Sequence, residues 1–244
     1  MVPKNFTLPF LNKEQESKDA YTFYFDRSSV KDFDFIAGNY IRITLTIPTP
    51  DDRGNSRYFS ITSSPLDKNH LTVTARIIQS AFKKTLWSLE PGTEVQFFGP
   101  VGRFLLDETD TRQHVFLAGG IGITPFHSML LYAAQKNLTT PMTLFVSFST
   151  VEDMVFHDEF MRIATEHPNI KVVYTITKPE ESQKPWAGET GRITKELISK
   201  YVSSPTSALY YMAGPVAMVM SMEEMIKGLN IPQEQVKKEQ FSGY

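Results

Sequence analysis

Two hydrophobic patterns succeed one another along the chain. Up to about residue 108, apolar positions recur at every second residue. Tyr21, Phe23 and Phe25 alternate with polar or smaller neighbours; Ile41, Ile43, Leu45 and Ile47 alternate with Arg42, Thr44 and Thr46; Leu71, Val73, Ala75 and Ile77 alternate with Thr72, Thr74 and Arg76. Period two is the signature of a strand with one buried face. Turn-forming clusters at 37–39, 48–55 and 66–69 separate the runs, so short antiparallel strands in a barrel or sandwich are predicted. One helical stretch, 81–89, interrupts them and is closed by Pro91-Gly92.

After residue 112 the runs become continuous. Strands are predicted at 115–118, 143–148, 171–176 and 209–213, and helices at 125–134, 153–165, 194–201 and 215–229. Unbroken apolar strands separated by helical intervals predict a doubly wound parallel sheet, buried on both faces. The expected division is a first domain over 1–108 and a second over 112–244, joined by the polar linker at 109–112. The stretch 178–191 is expected to be a surface loop.

Composition narrows the function. The chain has 244 residues, 41% of them hydrophobic and 21% charged, which fits one large or two medium globular domains. A formal net charge of −2 argues against a protein that works by neutralising nucleic-acid phosphates. The absence of cysteine excludes disulfides, thiolate metal sites and cysteine-held iron–sulfur clusters within this chain. The dispersed histidines give no ligand spacing, and no metal is expected. The first twelve residues lack the pattern of a secretory signal, and no run reaches the length of a membrane span. A cytoplasmic protein is expected.

Three segments carry chemistry. Val115-Phe116-Leu117-Ala118 reads as a strand that feeds Gly119-Gly120-Ile121-Gly122-Ile123-Thr124-Pro125 and then an apolar helix. A strand, a glycine turn and a helix start form a phosphate cradle, because bare N–H groups and the helix dipole favour negative charge. In Arg57-Tyr58-Phe59-Ser60, Arg57 and Phe59 share one face of a strand. Arg57 supplies a fork for phosphate oxygens. The helix start at Ser80 to Lys83 is expected to be a second anion site.

Taken in order, these motifs resemble the ferredoxin–NADP reductase superfamily over nearly the whole chain. Arg57-Tyr58-Phe59-Ser60 resembles its R-x-[Y/F]-[S/T] flavin motif. Gly99-Pro100-Val101-Gly102-Arg103-Phe104 resembles the G-P-x-G-x-F that closes the barrel. Gly119 to Pro125 resembles the nicotinamide motif, and Ala213-Gly214-Pro215 with Met218 and the tail Glu239-Gln240-Phe241 is similar to the family's C-terminal signature. The resemblance implies an N-terminal antiparallel flavin-binding β-barrel followed by a nicotinamide-nucleotide α/β domain.

The resemblance also implies roles. Arg57, Tyr58, Phe59, Ser60, Arg76, Ile77, Phe82, Lys83 and Thr85 would surround FAD, which the family favours over FMN. Phe59 would stack on the flavin ring. Gly119, Gly120, Gly122, Thr124, Pro125, Ala213 and Gly214 would hold NADH or NADPH. Ala213 stands where many relatives have cysteine. Phe241, or alternatively Tyr244, would cover the flavin. Ser60, Thr124 and Glu239 are the candidate catalytic residues, with Ser60 and Glu239 placed to polarise or protonate flavin N5. No arginine follows the second parallel strand, where Ser149-Thr150-Val151-Glu152-Asp153 stands instead; this leans to NADH, with Lys178 and Arg162 as the cations that could reverse it. The implied activity is hydride transfer from NAD(P)H to FAD and electron delivery to a redox protein of the ferredoxin type. Two alternatives stand beside it: a flavin reductase, and an FAD-binding electron-transfer subunit with poor nicotinamide turnover. The acceptor and the oligomeric state are not readable.

Overall fold

The period-two segments fold as antiparallel strands. In a computed structural model that describes residues 2–77 and 80–241, they are β1 (Lys4–Gln15), β2 (Ala20–Asp26), β3 (Tyr40–Thr44), β4 (Ser56–Ser60), β5 (His70–Arg76) and β6 (Glu94–Val101). Their order is β4-β3-β6-β1-β2-β5 and every pairing is antiparallel. The sheet curls until its two edges meet at one bridge, Ile61 to Val73, backed by a Thr62 N–H to Thr72 O bond of 2.9 Å. The barrel expected from the pattern is therefore a sheet whose edges touch at one point rather than a fully closed ladder. Its inward residues, among them Phe10, Phe23, Phe25, Ile41, Ile43, Val73 and Phe97, form one buried cluster with Phe82 and Leu86 of helix α1 (Ala81–Trp87).

Four threonine hydroxyls line up inside this unit. The Thr22 and Thr74 hydroxyls are 2.8 Å apart, those of Thr74 and Thr62 3.4 Å, and those of Thr62 and Thr72 2.8 Å. All four residues are buried. Thr22 donates to the Glu16 carboxylate at 2.6 Å.

The continuous apolar runs form a parallel sheet. Its strands are β7 (His114–Gly119), β8 (Met142–Phe148), β9 (Ile170–Ile176), β10 (Glu189–Thr190), β11 (Leu209–Pro215) and β12 (Val236–Phe241), in the order β10-β9-β8-β7-β11-β12. All five neighbouring pairs are parallel. The chain winds outward from β7 on one side and resumes at β11 on the other, which makes the carboxyl ends of β7 and β11 the switch point of the sheet. Val115, Leu117, Phe145 and Val173 pack with Ile198 and Val202 around helix α4 (Lys195–Tyr201), and with Val219, Met222 and Ile226 of helix α5 (Val216–Lys227).

The chain divides into two units: residues 1–106 with 124–132, and residues 107–123 with 133–244. The start of helix α2 (Thr124–Gln135) thus belongs to the first unit. Among the described residues, no helix is long and apolar enough to cross a membrane, and no group of His, Asp or Glu is arranged to hold a metal ion.

Some elements differ from expectation. The run 41–47 is a strand only as far as Thr44; the Leu45 N–H bond to Asn55 O extends the β3–β4 register by one residue, and Pro48 follows. The helix predicted at 153–165 is split into a 3₁₀ turn at Val151–Asp153 and helix α3 (His157–Glu166). The break falls at Phe156, whose φ of 59° is left-handed and whose side chain is buried. Within the stretch 178–191, Glu189 and Thr190 pair with β9. Strand β1 and the tail strand β12 carry too many polar residues for their periodicity to stand out.

Candidate functional site

Strand β4 divides the first motif by alternation. Arg57 and Phe59 take one face and Tyr58 the other. The Arg57 Nη1 donates to the carbonyl oxygens of Arg53, Gly54 and Ser56 at 2.7, 3.1 and 2.8 Å, and Nη2 donates to Asp51 Oδ1 at 2.9 Å. Its guanidinium lies 5.3 Å from the Phe82 ring. Phe59 stacks on that same ring at 5.8 Å, and Lys83 Nζ sits 5.6 Å from the Phe59 ring. Lys83 Nζ donates to Arg76 O at 2.7 Å, and Arg76 forks onto Asp19 through Nε at 3.0 Å and Nη2 at 2.7 Å. The structure therefore brings Arg57, Phe59, Arg76, Phe82 and Lys83 together.

The electrostatics of this cluster are those of an anion site. Burial first, and then the charges of Arg53, Arg57 and Arg76, push the Lys83 ammonium down to about 8. Asp19 opposes these charges at Lys83 and forks with Arg76, and Asp51 pairs with Arg57. Excess positive charge beside two aromatic rings fits a ligand with a planar ring and a diphosphate. The other expected contacts are placed differently. Tyr58 is 58% exposed and meets Tyr40 edge-on at 5.4 Å. Thr85 spends its hydroxyl on Ala81 O within its own helix. Ile77 packs half-buried against the core, and Ser60 is buried at the end of β4 opposite Tyr40.

Two residues that pattern reasoning missed hold the segment after Ser60. His127 Nδ1 lies 2.8 Å from Thr62 O, so this nitrogen carries the proton, and Ser128 Oγ donates to Ser63 O at 2.7 Å. Both side chains are buried. Their signal in the sequence was two polar residues in an otherwise apolar helical run. Thr124 is buried at the start of the same helix, with Pro125 next to it.

In the second unit the glycine turn at the end of β7 is packed backbone to backbone against β11. A Cβ on Gly122 would fall 2.3 Å from Ala213 O and 2.5 Å from Gly214 Cα, and one on Gly214 would lie 3.2 Å from Gly119 O. Gly120 has φ of 51° and open space where a Cβ would stand. Gly122 and Gly214 thus let turn and strand close on each other, while Gly120 presents bare backbone. Gly119 is capped by Met218, whose Sδ would overlap an added Cβ.

Parallel pairing sets Glu239 of β12 opposite the buried Ala213, and Phe241 opposite Pro215. Burial raises the Glu239 carboxyl to about 7, and its buried Oε2 has no hydrogen-bond partner among the described residues. A carboxyl with that affinity can hold or release a proton near neutral pH. Tyr244, the alternative to Phe241 as flavin cover, lies outside the described residues. After β8, Thr150 donates through N–H and hydroxyl to Asp153 Oδ2 at 3.0 and 2.9 Å. Lys178 pairs with Glu181, and Arg162 pairs with Glu159 and Glu166.

Two known domain families match successive stretches of this chain. Residues 7–106 match the oxidoreductase FAD-binding domain and residues 116–224 match the oxidoreductase NAD-binding domain. The chain is 27% identical over 204 residues to one component of the Na(+)-translocating NADH-quinone reductase of Klebsiella pneumoniae, a match covering 77% of this chain and 49% of that protein. It is 25% identical over 230 residues to the glycine betaine monooxygenase reductase subunit of Chromohalobacter salexigens, covering 93% and 61%. The chain thus spans about half the length of one of these curated relatives and 61% of the other. The fold is similar to the Amycolatopsis cytochrome P450 reductase GcoB, with a TM-score of 0.83 at 20% identity, covering 99% of this chain and 71% of that one.

Proposed function

Because the chain belongs to the ferredoxin–NADP reductase superfamily of FR-type flavin oxidoreductases, we propose that it moves hydride from NAD(P)H to FAD and electrons on to a redox protein. Residues 1–108 form the flavin module in this reading and residues 112–244 the nucleotide module. Bound flavin would supply the conversion of a two-electron donor into single-electron steps. The protein supplies position, charge and a proton.

Arg57, Arg76 and Lys83 bind the flavin diphosphate, and Phe59 with Phe82 forms an apolar wall for the ring system. The observation that carries this reading is the gathering of Arg57, Arg76 and Lys83 beside the rings of Phe59 and Phe82. Gly120 offers its backbone to the pyridine nucleotide, at the switch point where such sheets bind ligands. Glu239 holds a proton on its carboxyl near neutral pH; Ser60 and Thr124 are the other two catalytic residues of this reading. The absence of an arginine from the segment after β8, where Thr150 bonds Asp153, and the pairing of Lys178 and Arg162 with carboxylates support NADH as the better donor. The name of the monooxygenase reductase subunit supports delivery to a partner protein; the cytoplasm is the location in this reading. The test is anaerobic mixing of the purified full chain, loaded with FAD, with NADH and then NADPH. Prompt bleaching of the flavin absorbance with NADH is expected. A protein that takes up no flavin, or stays oxidised with both nucleotides, overturns the reading.

A further inference from the structure

The turn that leads into β4 folds around the Arg57 guanidinium. Three of its acceptors are backbone carbonyls of residues 53, 54 and 56, and the fourth is the Asp51 carboxylate. Asp51 also accepts the N–H of Arg53 at 3.1 Å. A carboxylate and a phosphate oxygen make the same charge-assisted bond to a guanidinium. One side chain of the protein therefore sits on the cation that the proposed function assigns to the flavin diphosphate.

The two partners differ in freedom. The Arg57 side chain is 11% exposed and that of Asp51 27%. Arg57 keeps its three carbonyls whether or not Asp51 stays, so its direction survives the carboxylate's departure. Asp51 stands at the start of a turn and is the more exposed of the two.

We propose that Asp51 is an internal stand-in for the flavin phosphate: it occupies Arg57 until a phosphorylated flavin displaces it, and so sets the affinity for FAD without touching the affinity for the bare ring system. The proposal rests on the reading that Arg57 binds flavin phosphate. It makes Asp51 a specificity-determining residue, because riboflavin has no phosphate with which to compete for Arg57.

The test uses the flavin-free full chain, titrated with FAD and with riboflavin by quenching of flavin fluorescence. Asp51→Asn is measured beside Asp51→Ser, which keeps an oxygen for the Arg53 N–H, and beside Arg57→Ala. Removing the competing carboxylate is expected to tighten FAD about fivefold and leave riboflavin unchanged. Arg57→Ala is expected to weaken FAD alone. If Arg57→Ala weakens FAD but both Asp51 variants weaken it or leave it unchanged, Asp51 does not compete with the phosphate and the proposal fails while the reading of Arg57 stands. Equal tightening of FAD and riboflavin also overturns it. If Arg57→Ala leaves FAD unchanged, the reading of Arg57 fails and the proposal with it.

Discussion

The two units build their candidate sites from opposite materials. The first uses side chains: Arg57, Lys83 and Arg76 around the rings of Phe59 and Phe82. The second uses backbone: Gly122 and Gly214 closed onto neighbouring main chain, and Gly120 left bare. A side-chain site can be tuned residue by residue, and its charges are screened by salt. A backbone site has no such gradation, since any Cβ at a closed position must move main chain. The units also differ in how they treat a buried charge. Lys83 donates to a carbonyl, whereas the Glu239 Oε2 has no hydrogen-bond partner among the described residues.

Four measurements press on this contrast. The largest effect is expected for Gly122→Ala, because its new methyl would meet backbone at 2.3 Å. Relieving that overlap must displace the turn, and a misplacement of about 1 Å costs about 100-fold in rate, so flavin reduction by NADH should fall about 100-fold while FAD content is kept. A near-normal rate would show that the turn is not closed as described. Next is Glu239→Gln. The folded carboxyl keeps its proton to about 7 and the unfolded one to 4.5. Between those values the folded chain binds more protons, so stability falls as pH rises; the loss is at most ~3 kcal/mol. Melting temperatures at pH 5 and pH 8 should therefore differ less in the variant than in the parent, and an equal difference would remove Glu239 as the cause.

Arg57→Ala loses charge-assisted bonds worth about 2 kcal/mol, so FAD should dissociate roughly 30-fold more readily, with a shallower salt dependence. An unchanged salt dependence in an equilibrium titration would break the side-chain half of the contrast. The smallest effect is expected for Gly119→Ala, where the obstacle is the flexible Met218 side chain rather than backbone. A loss of about 1 kcal/mol is expected. Met218→Ala in the same chain should recover most of it in a double-mutant cycle of unfolding free energies. Strict additivity would place the obstacle elsewhere.

What was legible in the chain was local. Alternation marked the antiparallel strands β2, β3 and β5, and unbroken apolar runs marked β7, β8, β9 and β11. The glycine turn was visible because three glycines within four residues can do few other things. What escaped notice depends on distant partners. Asp19 meets Arg76 across 57 positions, and His127 meets Thr62 across 65; no window of sequence contains both. Strand β12 reads as Lys237-Lys238-Glu239-Gln240, polar enough to pass for a loose tail, and is a strand because β11 offers it an edge. The break before α3 escaped for another reason. Its cause is one buried ring, Phe156, held in a left-handed turn, and a helical periodicity runs straight through it.

The threonine pair at the head of the buried row in the first unit has a direction. A hydroxyl owns a single hydrogen, and Thr22 gives its own to the Glu16 carboxylate. At its 2.8 Å approach to Thr74 it can then only accept. The Glu16 carboxylate thereby sets the direction of the Thr22 dipole, and the single Thr74 hydrogen is shared between the Thr22 and Thr62 oxygens.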